Sequence, residues 1–436
     1  MGYATFIGGV HPPEQKELSS EAALTPVAPP KTVVIPLSQH IGAPCSAAVE
    51  IGQVVKLGEI IGSADAFVSA PVHASVSGKV VAIGEFPNPM GRQVKSIVIE
   101  NDGRDEWIEL KGADPASLTP DEIKARIRAA GIVGMGGAAF PTTVKLSPPK
   151  EKPIDAVILN GSECEPYLNA DNRLMIERPA EVIDGLKIVM LALGVKQGYI
   201  GIESNKAQAF EIMTRAAEGY DDIEVHMLEV KYPQGAEKML IKTILGREVP
   251  NKGGLPMDVG CVVQNIGTAV AIRDAIVNGR PLIERVVTVT GGGITEPKNL
   301  LVRVGTMVSE LIEACGGLTD DAVKVISGGP MMGFAMSTLE VPVTKGTSGI
   351  LALTGSEAPH TDKFMNCIRC GRCIDACPMG LMPQMLSILS EAGFYEECRE
   401  YNIWDCFECG SCAFVCPSKR PIVQFVRLAK SQTKPG

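Results

Sequence analysis

The chain has 436 residues, which at roughly 100–200 residues per domain implies two to four domains. Hydrophobic residues make up 45% and charged residues 21%, a balance that excludes wholesale disorder. A net charge of −9 leaves no general footprint for nucleic acid, and none is expected as a partner. The opening stretch MGYATFIGGVHPPEQ has no basic segment followed by an apolar one, so no signal peptide is expected. Phe6 stands where a myristoylation pattern after Met1-Gly2 needs Ser or Thr. Residues 1–30 read as an extended, Pro-rich leader that does no more than tie down a terminus.

Residues 31–112 are rich in short Val/Ile runs separated by Gly, the pattern of a small barrel or sandwich. The stretch 71–80, P-V-x-x-x-V-x-G-x-V, resembles the tail of a biotinyl/lipoyl-type domain. The turn at 63–69 holds no lysine to carry biotin or lipoate, so a packing or interaction module without a swinging cofactor is expected. His73, with no second His or Cys near it in sequence, reads as structural.

A third unit is expected over 118–282. Thr119 and Glu122 form a capping box with Pro120 between them, opening a helix to about Ala130 that Gly131 stops. Residues 131–145 read GIVGMGGAAFPTTVK. Backbone N–H groups at Gly134, Gly136 and Gly137 suit a phosphate, and Lys145 adds positive charge. It is not the Rossmann fingerprint, because a helix precedes it where that fingerprint demands a strand. An alternating rhythm follows: strand 154–159, helix 177–193, strand 199–202, helix 207–217, strand 223–230 and helix 237–245. That pattern predicts a layered α/β domain with its site at the C-terminal strand ends. The loop at 160–171, NGSECEPYLNAD, carries Glu163 and Glu165, which repel phosphate but accept from ribose hydroxyls or a carboxamide. A solvated acidic loop has the same composition. The most apolar windows, 182–200 and 259–277, are broken by Asp184 and Lys187 and by Gln264, Asn265 and Arg273. Neither is expected to span a bilayer.

The run G-x-x-G-x-G-G-A-x-F-P-T-x-x-K, followed by N-x-x-E-x-E-P, resembles the flavin- and NADH-binding subunit of respiratory complex I. The likeness continues at Tyr232-Pro-Gln-Gly-Ala-Glu237 and at Val263-Gln-Asn265. It implies that Gly134, Gly136, Gly137, Lys145, Asn160 and Asn265 hold FMN, with Tyr232 also in the cofactor site. Phe140, Glu163, Glu165 and Glu237 would face NAD(H), with Glu165 and Glu237 nearest the chemistry. Ser162 stands where that family has Asp, Gln264 where it has Asn, and Pro148 where a second adenine-stacking aromatic is expected.

Residues 283–356 contain VVTVTG, MVSELIEAC and AVKVISGG, short strands around one helix. They resemble the small β-grasp (SLBB-like) module that follows the flavin domain in the same family; a generic α+β spacer reads nearly alike.

Thirteen cysteines make an odd number, and nine of them lie between Cys367 and Cys416, in the expected segment 360–436. CIRCGRCIDACP at 367–378 and CFECGSCAFVCP at 406–417 are each C-x2-C-x2-C-x3-C-P, the bacterial ferredoxin pattern for a [4Fe–4S] cluster. Zinc knuckles and redox CxxC pairs are the plainer alternatives, but zinc usually takes two separated pairs rather than four close thiols. In the ferredoxin pattern the fourth Cys ligates the other cluster. Cys367, Cys370, Cys373 and Cys416 are therefore expected to hold one cluster, and Cys406, Cys409, Cys412 and Cys377 the other. Leu381, Met385, Leu386, Ile388 and Leu389 recur at helical intervals, predicting a connecting helix. Cys398 fits neither motif and reads as a small buried apolar residue.

The order of these modules is similar to the C-subunit family of Rnf electron transport complexes, over nearly the whole chain. The resemblance implies a multidomain α/β + β protein: lipoyl-like barrel-sandwich, FMN/NAD(H)-binding α/β domain, β-grasp module, and two-cluster ferredoxin-type domain. It further implies a peripheral subunit on the cytoplasmic face of the bacterial membrane, in an ion-translocating ferredoxin:NAD oxidoreductase. Expected partners are the other subunits, a ferredoxin-like Fe–S subunit among them. FMN is needed there because nicotinamides move electron pairs while Fe–S clusters move one at a time. A soluble flavin/Fe–S reductase of the cobalamin-reductase type, and a wiring subunit without a working nucleotide site, remain open at this point.

Overall fold

The computed structural model of the chain describes residues 3–358 and 364–434. Residues 1–2, 359–363 and 435–436, which include Met1-Gly2 and parts of the expected leader and ferredoxin-type segment, lie outside the described residues. The leader contributes β1 (Leu24–Pro26). Next come β2 (Thr32–Pro36), β3 (Ser46–Ala47), β4 (Val54–Val55), β5 (Ile60–Ser63), β6 (Val72–His73), β7 (Gly78–Pro87) and β8 (Gln93–Asn101). These seven pair as two small sheets, β2-β8-β7-β4 and β3-β5-β6. Val33, Ile35, Val55, Ile61, Val80, Ile97 and Ile99 are fully buried between them, each contributing roughly 1.5–3 kcal/mol of transfer free energy. His73 is buried, and its Nε2 faces the Ala129 carbonyl at 2.9 Å, consistent with a structural role.

The capping box holds: the Thr119 hydroxyl accepts from the Glu122 N–H at the start of α1 (Pro120–Ala129). After α2 (Thr142–Lys145) the chain alternates. The elements are β9 (Ala156–Gly161), α3 (Ala170–Glu177), α4 (Pro179–Leu193), β10 (Gln197–Glu203), α5 (Ala207–Ala217), β11 (Ile223–Leu228), α6 (Glu237–Leu245), β12 (Cys261–Asn265) and α7 (Ile266–Val277). The four strands form a parallel sheet in the order β11-β10-β9-β12. The helix expected over 177–193 is α4, and α3 before it was not expected. Pro179 has no N–H to give and starts α4 as its first residue, which leaves α3 as a separate element.

Further on lie β13 (Glu284–Thr290), β14 (Lys298–Arg303), α8 (Val308–Ala314), β15 (Ala322–Ser327), β16 (Phe334–Ala335) and β17 (Gly349–Thr354). Their mixed sheet runs β1-β14-β13-β17-β15-β16, so the leader supplies its edge strand, parallel to β14. Lys345 ties three modules together. It is 1% exposed, and its ammonium donates to the carbonyls of Pro71 (2.7 Å) and Gly131 (2.8 Å). Burial pulls it down to about 7.

The cysteine-rich end carries α9 (Arg372–Asp375), α10 (Pro383–Glu391), α11 (Ser411–Phe414) and α12 (Ile422–Gln432). Helix α10 is the expected connector and packs on α12. Cys398 is fully buried among Leu386, Ile403, Val426 and Ala429, a small apolar residue as read from the sequence. Among the described residues no helix is long and apolar enough to cross a membrane.

Candidate flavin and cluster sites

Strand order reverses between β9 and β12, because β10 and β11 lie on one side of β9 and the chain then returns to its other side. Such a reversal opens a crevice at the C-terminal strand ends. Asn160 and Asn265 are register partners at that edge. Asn265 caps α7: its Oδ1 accepts from the Thr268 N–H (3.2 Å), while its Nδ2 donates to Asp171 Oδ2 (2.6 Å). Asn160 Nδ2 donates to the Gly235 carbonyl (2.8 Å) and its Oδ1 accepts from the Ser162 N–H (3.2 Å).

The glycine loop lies over the start of α7. Met135 N–H donates to Thr268 Oγ1 (3.0 Å), and Gly134 N–H donates to the Phe140 carbonyl (2.9 Å). A Cβ on Gly136 would sit 2.7 Å from Asn265 Nδ2, so only glycine allows this approach. Gly137 has nothing within 4 Å of that position, leaving an open cradle beside a helix N-terminus. Lys145, at the end of α2, donates to Glu237 Oε2 (2.7 Å) and to the Val263 carbonyl (3.2 Å). A cation and a carboxylate expected on different ligands thus share one place, both about one-third exposed at 30% and 35%. Ser162 Oγ and Gln264 Nε2, at two positions that depart from the complex I pattern, are buried without partners at the ends of β9 and β12. The open space at Gly137 beside the α7 N-terminus and the nearby Lys145 ammonium suit a phosphate-bearing cofactor. The residues present therefore suit FMN.

The acidic loop is differently engaged. Glu163 accepts from the N–H groups of Asp171 (2.9 Å) and Asn172 (3.1 Å), capping α3 from outside the helix. Glu165 accepts from the N–H groups of Met331 (3.0 Å) and Met332 (2.9 Å), in the loop between β15 and β16. Burial pushes Glu165 up to about 7. Asp171 also rises to about 7, through burial and then the nearby charge of Glu163. Beneath them lies Lys16, which sequence reasoning missed. Its ammonium donates to the carbonyls of Glu163 (3.0 Å), Glu165 (3.0 Å) and Leu168 (2.5 Å), and burial pulls it down to about 8. Nothing in a Pro-rich leader signals that one lysine will be buried under a distant loop. Tyr232 is 2% exposed, and its hydroxyl donates to the Cys409 carbonyl at 2.7 Å. Phe140 is partly buried in the turn before α2.

Cys367, Cys370, Cys373 and Cys416 line one pocket, together with Arg369, Arg372 and Arg420. The other four thiols gather separately. Burial raises Cys406, Cys409 and Cys412, and the charge of Cys377 acts on all three. Cys416 of the second motif thus lies with the three thiols of the first. Four close thiols in each motif suit a four-iron cube.

Comparison with known proteins reproduces the module order. The RnfC barrel sandwich hybrid domain matches residues 4–104, the Nuo51 FMN-binding domain 127–274, the SLBB domain 286–335 and the 4Fe-4S dicluster domain 366–419. The chain is 52% identical over 433 residues to the C subunit of the proton-translocating ferredoxin:NAD(+) oxidoreductase complex of Clostridium ljungdahlii, covering 99% of this chain and 94% of that one. It is 46% identical over 438 residues to the Na(+)-translocating counterpart of Acetobacterium woodii, covering 99% and 97%. A crystal structure of an NAD+-reducing [NiFe]-hydrogenase in the air-oxidized state aligns with a TM-score of 0.50 at 18% identity, over 73% of this chain and 63% of that one. That last likeness is one of fold. With relatives of this identity matched almost end to end, the chain belongs to the C-subunit family of ion-translocating ferredoxin:NAD(+) oxidoreductase complexes.

Proposed function

We propose that this chain exchanges a hydride between NAD(H) and FMN and passes the electrons singly through two [4Fe–4S] clusters to partner subunits of a membrane-bound complex. The observation that carries this reading is the convergence of the glycine loop, Asn160, Asn265 and Lys145 on the crevice between β9 and β12. When bound, FMN supplies the step between two-electron nicotinamide chemistry and one-electron cluster chemistry. The chain's own residues bind and orient it. N–H groups of Gly136 and Gly137 with the Lys145 ammonium take the phosphate; the Gly134 N–H, also expected there, is committed to the Phe140 carbonyl and shapes the loop instead. Asn160 and Asn265 line the crevice with amides held in place by Gly235, Ser162, Thr268 and Asp171, while the Tyr232 hydroxyl, expected at the flavin, is given instead to the Cys409 carbonyl.

Glu237 and Phe140 face the nucleotide. Glu237 is an acceptor-only carboxylate suited to hydroxyl and amide donors. Glu163 and Glu165 reach a nucleotide only after leaving their backbone partners, so their part in its binding is secondary. We divide the chain accordingly: leader 1–30, barrel 31–112, flavin unit 118–282, β-grasp module 283–356, cluster unit 360–436. A peripheral position on the cytoplasmic face of the membrane is supported by the ferredoxin and NAD(+) named for the relatives in Clostridium ljungdahlii and Acetobacterium woodii, which are water-soluble reactants. A ferredoxin-like Fe–S subunit is among its partners.

The test is anaerobic addition of NADH to FMN-loaded protein with both clusters intact. Bleaching of the flavin absorbance is expected. No bleaching would leave the chain a wiring subunit that does not exchange hydride with the nucleotide.

A further inference from the structure

The barrel turn at 63–69, which holds no lysine of its own, receives a cation from another unit. The carbonyls of Ala66 and Phe67 accept from the Arg128 guanidinium (2.9 and 3.3 Å), near the end of α1. Just after the turn, the Pro71 carbonyl accepts from the Lys345 ammonium (2.7 Å), which the loop between β16 and β17 supplies. Lys345 is also fixed at both of its own backbone groups. Its N–H donates to Gln39 Oε1 (3.0 Å), and its carbonyl accepts from the Arg285 guanidinium (2.6 Å).

These contacts close on Gly131, where α1 gives way to the glycine loop. Gly131 is left-handed (φ 65°), and its carbonyl accepts from Lys345 (2.8 Å). A Cβ there would meet the Pro71 carbonyl at 2.3 Å, Lys345 Nζ at 2.7 Å and the His73 ring at 3.0 Å. The far end of the loop is pressed by the same segment. A Cβ on Gly346 would lie 3.3 Å from the Cβ of Ala139, itself left-handed at φ 53°. Bonds from Gly134 to Phe140 and from Met135 to Thr268 fix the middle of the loop. Lys345 fixes its entry.

Resting on the proposed flavin function, we infer that Lys345 is a positioning residue for the flavin phosphate, holding the entry of the glycine loop against the barrel so that the Gly136 and Gly137 N–H groups converge. Glycine leaves a chain soft, and donors scattered by that freedom bind a phosphate poorly. Burying an ammonium is unfavourable unless it is well bonded. Among the described residues no carboxylate pairs with this one, and its bonds are to the carbonyls of Pro71 and Gly131. Its charge therefore joins backbone to backbone across two units. Through this clasp the barrel acts on the phosphate site without carrying a cofactor itself.

The test compares equilibrium binding of FMN and of riboflavin, which lacks the phosphate, to the full chain stripped of flavin. Wild-type protein is expected to prefer FMN. Lys345→Met keeps the reach of the side chain but removes its charge, and should weaken FMN about tenfold while leaving riboflavin within about twofold. A lysine that only supported the fold would weaken both ligands alike. Equal weakening, or an FMN affinity that does not change, overturns the assignment. Melting of the flavin-free proteins checks that the variant folds. Where Lys345→Met does not fold, Arg128→Ala, at a partly exposed site on the same clasp, takes its place with the same outcomes. A wild-type chain that binds FMN no better than riboflavin would sink the phosphate site itself. A wild-type preference that survives Lys345→Met would sink this inference and leave that site standing.

Discussion

Lys145 and Glu237 face each other at 2.7 Å across a crevice that must admit both a phosphate and a nucleotide. A phosphate arriving at Lys145 competes with that carboxylate, so the pair sets how firmly the flavin is held. Lys145→Ala is expected to weaken FMN retention about ten- to a hundredfold, since a charge-assisted phosphate contact is worth roughly 1.5–3 kcal/mol. Equilibrium dialysis against free FMN reads the change, and undiminished retention would remove Lys145 from the phosphate site. Glu165 makes a second prediction, in pH. Its folded-state value of about 7 lies above the ordinary 4.5, so the folded chain binds the extra proton between those values. The contribution of this group to stability is complete below pH 4.5 and is lost as pH rises through about 7. Glu165→Gln cannot ionise, and its melting temperature should gain on the wild type across that interval and hold its gain above it. Parallel curves would mean that Glu165 titrates alike in both states.

Among the elements, α3 shows how an acidic loop can be structural. Its first N–H groups are capped by Glu163, eight positions before Asp171 in sequence. Loss of such a cap costs about 0.5–2 kcal/mol, so Glu163→Ala should lower the thermal midpoint of the cofactor-free protein. A glutamate that served only the nucleotide would leave that midpoint where it was. Helices α1, α5 and α6 were legible because their signals are local: a capping box for α1, apolar periodicity for the others. The cysteine motifs were legible for the same reason, their ligands lying a few residues apart. Lys16 was not, because the carbonyls it serves begin 147 residues away. Nor was the capture of Glu165 by the amides of Met331 and Met332, where a backbone donor leaves no mark in the side-chain code. The flavin residues stood between these cases: glycine spacing indicated a phosphate loop, while the Lys145–Glu237 pair needed the fold to bring α2 and α6 together.

For the whole molecule, the two thiol groups make composition a direct measurement. Reconstituted protein should hold about eight iron and eight sulfide per chain, as two four-iron clusters require. Because Cys416 lines the pocket of Cys367, Cys370 and Cys373, Cys416→Ser should damage that cluster although it lies in the second motif. Loss confined to the cluster of Cys406, Cys409 and Cys412 would refute the exchange of ligands. The threading of the leader also bears on how the chain is made. Residue 9 reaches its partner only when residue 376 has left the ribosome, and β1 must await β14. At about 5–20 residues per second, that is a delay of roughly 20–70 s. Until then these leader residues lack their partners, and a segment with open backbone invites foreign strands. Its glycines at 8 and 9 and prolines at 12, 13 and 26 are poor strand formers, and Pro26 lacks the N–H a neighbouring strand would seek. The same residues that let the leader fit its narrow place late in synthesis keep it from pairing elsewhere while it waits.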